Sequence, residues 1–197
     1  MKQLKLLKDE PKAYGGELLK TRKGRAHGRP LDTKRTMHLV LRSSLAKGEW
    51  SFSRHKKKIR LIADKFAQKN GVRLLSLANV GNHLHFHIQL GNRYAYRPFI
   101  RAITAAIAMT VTGASRWQPL ESQIASKLVG KSTNKAKFWD YRPFTRVVIG
   151  FRALLNLKDY IRINQLEGGG TSRVIAEYII KNNFKISGSK LEWFSTA

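Results

Sequence analysis

The chain has no cysteine in its 197 residues. Disulfide staples and thiolate metal sites are therefore excluded, and any metal must be held by His, Asn, Gln, carboxylates or water. The lack also fits a reducing compartment. A chain of this length buries enough surface to form a compact domain without covalent staples. Acidic residues are scarce as well: 12 Asp+Glu stand against 38 Lys+Arg, a formal net charge of +26 at pH 7. That excess goes beyond what solubility needs and creates a field that concentrates polyanions. Long apolar runs are missing too. The most apolar helix candidate, Ile103 to Val111, is too short to span a bilayer. The basic N-terminus lacks the apolar core of a signal peptide. These absences set aside membrane-spanning and secreted classes and lead us to expect a cytoplasmic protein with no membrane partner. The expected partner is nucleic acid, whose phosphates release counterions when Lys and Arg neutralise them.

Residues 1–34 are rich in Lys, Arg and Gly, with few apolar anchors around Lys20, Arg22, Lys23, Arg25 and Arg29. This segment is expected to be a basic arm that orders on a phosphate backbone. A domain is expected over 35–167 and an extension over 168–197. The alternation in 36–43 predicts a strand. Ile59, Ile62, Ala63, Phe66 and Ala67 recur at helical spacing and predict a helix over 54–70, stopped by Gly71. Strands are expected over 72–80 and 83–90, with a tight turn at Gly81-Asn82. A helix follows over 96–112, a strand over 137–149, a helix over 150–166 stopped by Gly168-Gly169-Gly170, and a short helix over 173–181. There is no internal repeat. Strand, helix, hairpin, helix, strand, helix predicts an α+β fold. We expect a ferredoxin-like antiparallel sheet with helices packed on one side, close to the split βαβ plan.

Asn82-His83-Leu84-His85-Phe86-His87 carries the main chemical signal. On a strand His83, His85 and His87 face one way, while Leu84, Phe86 and Ile88 face the other. Three imidazoles on one face are poor core material, since each brings two polar nitrogens that need partners. They can instead share a divalent cation. Two His with an amide oxygen and waters suit Mg²⁺ or Mn²⁺ at a phosphate site. His38, His27 and His55 stand alone in sequence and read as packed or surface histidines.

A second signal lies in the helix after the last strand. Leu154, Leu157 and Ile161 make an apolar stripe, and Asn156, Tyr160 and Asn164 make a separate polar one at four-residue spacing. A tyrosine beside an amide on one helix face suits a covalent nucleophile, provided that a metal or the basic field activates it.

These segments resemble a known family. Asn82-His83-Leu84-His85 is similar to the Asn-His-hydrophobic-His signature of HUH single-tyrosine transposases. Lys137-Phe138-Trp139, leading through Thr145-Arg146-Val147-Val148 to Tyr160-Ile161-Arg162-Ile163-Asn164, resembles their second block, above all in the REP-associated tyrosine transposases. The likeness spans residues 35–167. It implies a ferredoxin-like fold with the histidine pair on a central strand. It implies that His83, His85 and Asn164 bind the divalent metal. It further implies that Tyr160 attacks single-stranded DNA, leaving a 5′-phosphotyrosine and a free 3′-OH. Where the family has Asn-Pro this chain has Asn164-Gln165, which makes Gln165 a rival third ligand. Where it has Met-Pro before the Asn-His, this chain has Val80-Gly81. His87 has no counterpart. The expected substrate is single-stranded DNA with hairpin structure, met in a bacterial cytoplasm at the nucleoid by a monomer or homodimer. Lys23, Arg25, Arg29, Arg42, Arg54, Lys57, Arg142 and Arg146 are the expected DNA contacts. Two other classes stay open: a domesticated relative that binds a DNA hairpin without transposition, and a basic RNA-binding protein. Histidines on the sheet face where such proteins stack bases on aromatics speak against the latter.

Overall fold

Alternation of side chains builds the sheet around two central strands. In β2 (Met37–Arg42), Met37, Leu39 and Leu41 are buried on one face. In β4 (His83–Leu90), Leu84, Phe86, Ile88 and Leu90 are buried on the same face. The two strands pair antiparallel, with Leu39 opposite Phe86 and Val40 opposite His85. β3 (Val72–Asn79) flanks β4 and β5 (Phe144–Val147) flanks β2, both antiparallel, and β1 (Tyr14–Gly15) adds a two-residue edge on β5. The order is β1-β5-β2-β4-β3. β2 and β3 run parallel with β4 between them, which is the expected split βαβ arrangement. The computed structural model describes residues 14–15, 30–115, 117, 119, 122, 124 and 137–182. The expected contacts Lys23, Arg25 and Arg29 lie outside them, as does most of the basic segment 116–135. Among the described residues no helix is long and apolar enough to cross a membrane.

Two crossover helices cover the apolar face. α1 (Lys56–Lys69) buries Ile59, Ala63 and Ala67, and α2 (Tyr96–Thr112) buries Phe99, Ile103 and Ile107. Their apolar stripes, at three- and four-residue spacing, join the inward residues of β2 and β4 in the main core. The other sheet face carries the histidines, and α3 (Phe151–Glu167) lies against it. Leu157 and Ile161 of α3 pack with Ala78 of β3 and Val148 in a second, smaller core. α4 (Arg173–Lys181) packs on α3 and starts at Ser172, whose hydroxyl accepts from the Ile175 N–H.

The last strand is shorter than the sequence predicts. Residues 137–143 leave the ladder, because Phe138 and Trp139 turn inward against Trp50 and Phe52 and Pro143 has no N–H to donate. The segment is tied down through Arg42 and Ser44 instead. The Asp140 N–H donates to the Arg42 carbonyl, and the Asp140 carboxylate accepts from the Ser44 N–H at 2.7 Å.

Two glycines fix the end of the sheet that holds the histidines. Gly81, at φ +86, makes the β3–β4 turn that starts β4 at His83. Gly168, just past α3, lies so close to β3 that a Cβ there would sit 1.9 Å from the Asn79 carbonyl oxygen. Asn79 cannot easily yield: its amide donates to the Phe52 carbonyl at 2.7 Å and accepts from the Gly81 N–H at 3.1 Å. Gly168→Ala therefore pushes the end of α3 off the sheet, an overpacking cost of about 3 kcal/mol. The expected readout is a thermal unfolding midpoint lower by roughly 5–10 °C. An unchanged midpoint would show that the helix end moves freely.

Candidate active site

The histidine face becomes a site because a strand, its neighbour and a helix each present one polar row to it. β4 contributes His83, His85 and His87. β2 contributes His38, Val40 and Arg42, directly opposite His87, His85 and His83. β5 adds Phe144 and Arg146, opposite Val40 and His38. From α3, Asn156 and Tyr160 face the same space. All of these except His87 line a cavity of about 480 Å³, with Arg42, Arg142 and Arg146 as its cationic side and Phe144, Val148 and Leu157 as its apolar side.

The rings are in contact. His83 and His85 have centroids 4.8 Å apart, and Tyr160 stands edge-on to His85 at 5.2 Å. His38 stacks on His85 at 5.3 Å and meets Tyr160 edge-on at 5.9 Å. Tyr160 remains 36% exposed, so a polymer can reach it from solvent.

The nitrogens of the two leading imidazoles are unequal. Nδ1 of His83 lies 2.6 Å from Asn82 Oδ1, an atom that can only accept, so His83 carries its proton on Nδ1 and has a lone pair on Nε2. Nδ1 of His85 lies 3.1 Å from His38 Nε2, and its own Nε2 is buried with no protein partner. An orphaned buried nitrogen next to a second imidazole fits a divalent cation. Among the described residues no three His, Cys, Asp or Glu side chains cluster as a metal site. A cation here would thus rest on His83 and His85, with oxygens from an amide, water or phosphate completing its shell.

Asn164 and Gln165 are placed differently from the imidazoles. Asn164 is buried on α3, and its Nδ2 donates to the Tyr160 carbonyl at 2.6 Å. Gln165 Nε2 donates to the Leu77 carbonyl at 2.9 Å. Neither lines the cavity. In both, a cation would have to use the amide oxygen. Of the expected DNA contacts, Arg42, Arg142 and Arg146 line the cavity, and Arg42 also faces Asp140 at 3.6 Å. Arg54 and Lys57 are exposed at and on α1, the helix that covers the opposite sheet face. Sequence reasoning missed His38, Tyr141 and Phe144. His38 stands alone in its segment, so only the β2–β4 register could have shown that it joins the other imidazoles. His55 stays outside the site and pairs with the Glu49 carbonyl.

Burial keeps these rings neutral. Desolvation, then His38 and His83, pushes His85 down to about 3. Desolvation, then His87 and Arg146, lowers His38 to about 4, and desolvation, then Lys158, lowers His87 to about 4. His83 is also lowered, by burial first and Arg42 second, against a raising pull from Glu167. A histidine with a depressed folded pKa binds its proton more readily in the unfolded chain. Its contribution to stability is therefore intact above the unfolded value of 6.5 and is lost as pH falls from there towards 4. Each such ring adds a slope of up to about 1.4 kcal/mol per pH unit. The metal-free protein should melt progressively lower from pH 7 to pH 5, and His87→Leu should flatten that fall. A midpoint constant across the window would contradict the buried neutral rings.

This is a ferredoxin-like α+β fold with an imidazole-and-tyrosine cavity between α3 and the sheet face it packs against. Its fold is shared with a solved REP-associated tyrosine transposase bound to a REP hairpin, at a TM-score of 0.54 and 12% identity over 75% of this chain and 76% of that one. A crystal structure of a candidate transposase from Deinococcus radiodurans R1 is similar at 18% identity and a TM-score of 0.41, covering 74% of this chain and 98% of that one. No protein-family model matches the chain. No curated protein matches it either.

Proposed function

We propose that the protein is a metal-dependent endonuclease and strand transferase of the transposase type, acting on single-stranded DNA through Tyr160. The observation that carries this reading is the contact of Tyr160 with His85 at 5.2 Å, beside His83 and inside a cavity edged by three arginines. The fold shared with a transposase that holds a REP hairpin supports it. So does the charge of +26, which favours a polyphosphate substrate. A phosphodiester drawn in by Arg42, Arg142 and Arg146 would meet Tyr160 on one side and the imidazole pair on the other. The apolar side of the cavity leaves room for an unstacked base, which a single strand can offer and an intact duplex cannot.

His83 and His85 would hold Mg²⁺ or Mn²⁺; Asn164, or Gln165 as its rival, would serve as a further donor only by turning its amide oxygen into the cavity, which neither lines here. The bound ion supplies charge neutralisation on the phosphoryl oxygens. Tyr160 Oη loses its proton and attacks phosphorus. The bond to O3′ breaks, and that oxygen leaves with the electron pair and takes up a proton. One phosphate ester replaces another, so the bond energy is kept in the 5′-phosphotyrosine. Attack of a second 3′-OH reverses the step, frees Tyr160 and joins strands. The test is a denaturing gel of the full chain with labelled hairpin DNA bearing single-stranded flanks and Mn²⁺. A covalent adduct is the expected result, and blunt duplex of the same sequence should give little. Absence of adduct on every single-stranded substrate tried would leave a binding protein without this chemistry.

A further inference from the structure

His38 has no part in the chemistry above, yet it touches both principal actors. Its ring stacks on His85 with planes 18° apart, its Nε2 lies 3.1 Å from His85 Nδ1, and its ring meets that of Tyr160. Two neutral imidazoles that share one hydrogen bond have two arrangements. If His38 donates, Nδ1 of His85 is the acceptor and the His85 proton must sit on Nε2. That buried Nε2–H then has nothing in the protein to donate to. If His85 donates from Nδ1, its Nε2 becomes a bare lone pair. Only the second arrangement can bind a cation, and it makes His85 match His83, whose Nδ1 is committed to Asn82 Oδ1.

We infer that His38 is the positioning residue of the cation site: it accepts the Nδ1–H of His85, fixes that tautomer, and by stacking holds the ring so that Nε2 faces the ion. This rests on the reading that His83 and His85 bind a divalent cation. The role suits its place in the fold. β2 puts His38 directly opposite His87, one pleat along from the Val40–His85 pair, so its ring reaches His85 diagonally across the two strands. An outer partner that orients a ligating imidazole and sets its tautomer commonly governs metal affinity.

The experiment uses Mn²⁺ and the full chain. His38→Phe keeps a stacking ring and removes the acceptor, whereas His38→Gln removes the ring and restores an amide acceptor. Titration calorimetry should show Mn²⁺ affinity falling about 10- to 100-fold for His38→Phe, with His38→Gln staying within a few-fold of the original protein. In the unsubstituted, metal-free protein, imidazole ¹⁵N shifts should place the His85 proton on Nδ1, a readout that needs no variant to fold. A proton on Nε2, or undiminished Mn²⁺ affinity in a folded His38→Phe, overturns the inference while leaving the cation site standing. Loss of nothing on replacing His83 and His85, or no Mn²⁺ binding by the original protein, removes the cation reading and the inference with it.

Discussion

Tyr160→Phe should bind single-stranded DNA almost as well as the original protein and form no covalent adduct with it. The substitution removes one oxygen and keeps the ring that stands edge-on to His85 and His38. Packing is retained, because Tyr160 is partly exposed and its helix is held by Leu157 and Ile161. Binding draws on many cations, so loss of one hydroxyl contact is worth only about 1 kcal/mol, less than tenfold in affinity. The adduct is different in kind. It needs an oxygen nucleophile at the site, and phenylalanine offers none. The two measurements are a filter or gel-shift titration on a flanked hairpin and a denaturing gel with Mn²⁺. Adduct at the original yield from Tyr160→Phe would assign the bond to another residue, and the placement of Tyr160 in the cavity would then be structural.

Replacing His83 and His85 together by Ala should lower adduct formation by at least about 100-fold, the scale of losing the stabilisation of charge that develops in a transition state. The remaining reaction should no longer respond to added Mn²⁺ or to EDTA. DNA binding should persist, because Arg42, Arg142 and Arg146 stay in the cavity. The fold should persist as well: both side chains point away from the main core, whose inward residues on β4 are Leu84, Phe86, Ile88 and Leu90. EDTA added to the unsubstituted protein should reproduce the loss. His87→Ala should cost less, since His87 does not line the cavity. Mn²⁺-stimulated adduct formation by the double variant at the original rate would sink the two-imidazole site.

The sheet was legible because its central strands are strict alternators. Leu84, Phe86 and Ile88 against His83, His85 and His87 leave one choice of inward face, and β4 and α2 start and stop where the residue pattern says. The helical recurrence in α1 and the glycines after α3 were equally plain. β5 was not, since the aromatic and apolar run from Lys137 onward looks like strand throughout. Tertiary packing of Phe138 and Trp139 outweighs β propensity there. The chemistry divides in the same way. His83 and His85 announce themselves by local spacing, and Tyr160 by its helix stripe. His38 and Phe144 come from other segments and acquire meaning only through strand register, and Tyr141 only through the path that residues 137–143 take off the ladder. The second polar row on α3 was read as Asn156, Tyr160 and Asn164 together. In the fold the first two open onto the cavity, and Asn164 turns into the packing beneath Tyr160.

The histidines and the tyrosine are separated along the chain by α2, β5 and the first half of α3. That order has a consequence for synthesis. A ribosome delivers β2 and β4, with every imidazole of the site, well before it delivers α3. Until α3 follows, the chain holds the imidazole residues of the cavity without Tyr160. A chain that stops between β4 and Tyr160 carries the imidazoles of the cavity and lacks its phenol. The last element along the chain to line the cavity is thus the one that brings its phenol. Gly168, where the chain comes against the Asn79 carbonyl, follows every residue that lines the cavity, so the wall that carries Tyr160 is seated from beyond the site itself.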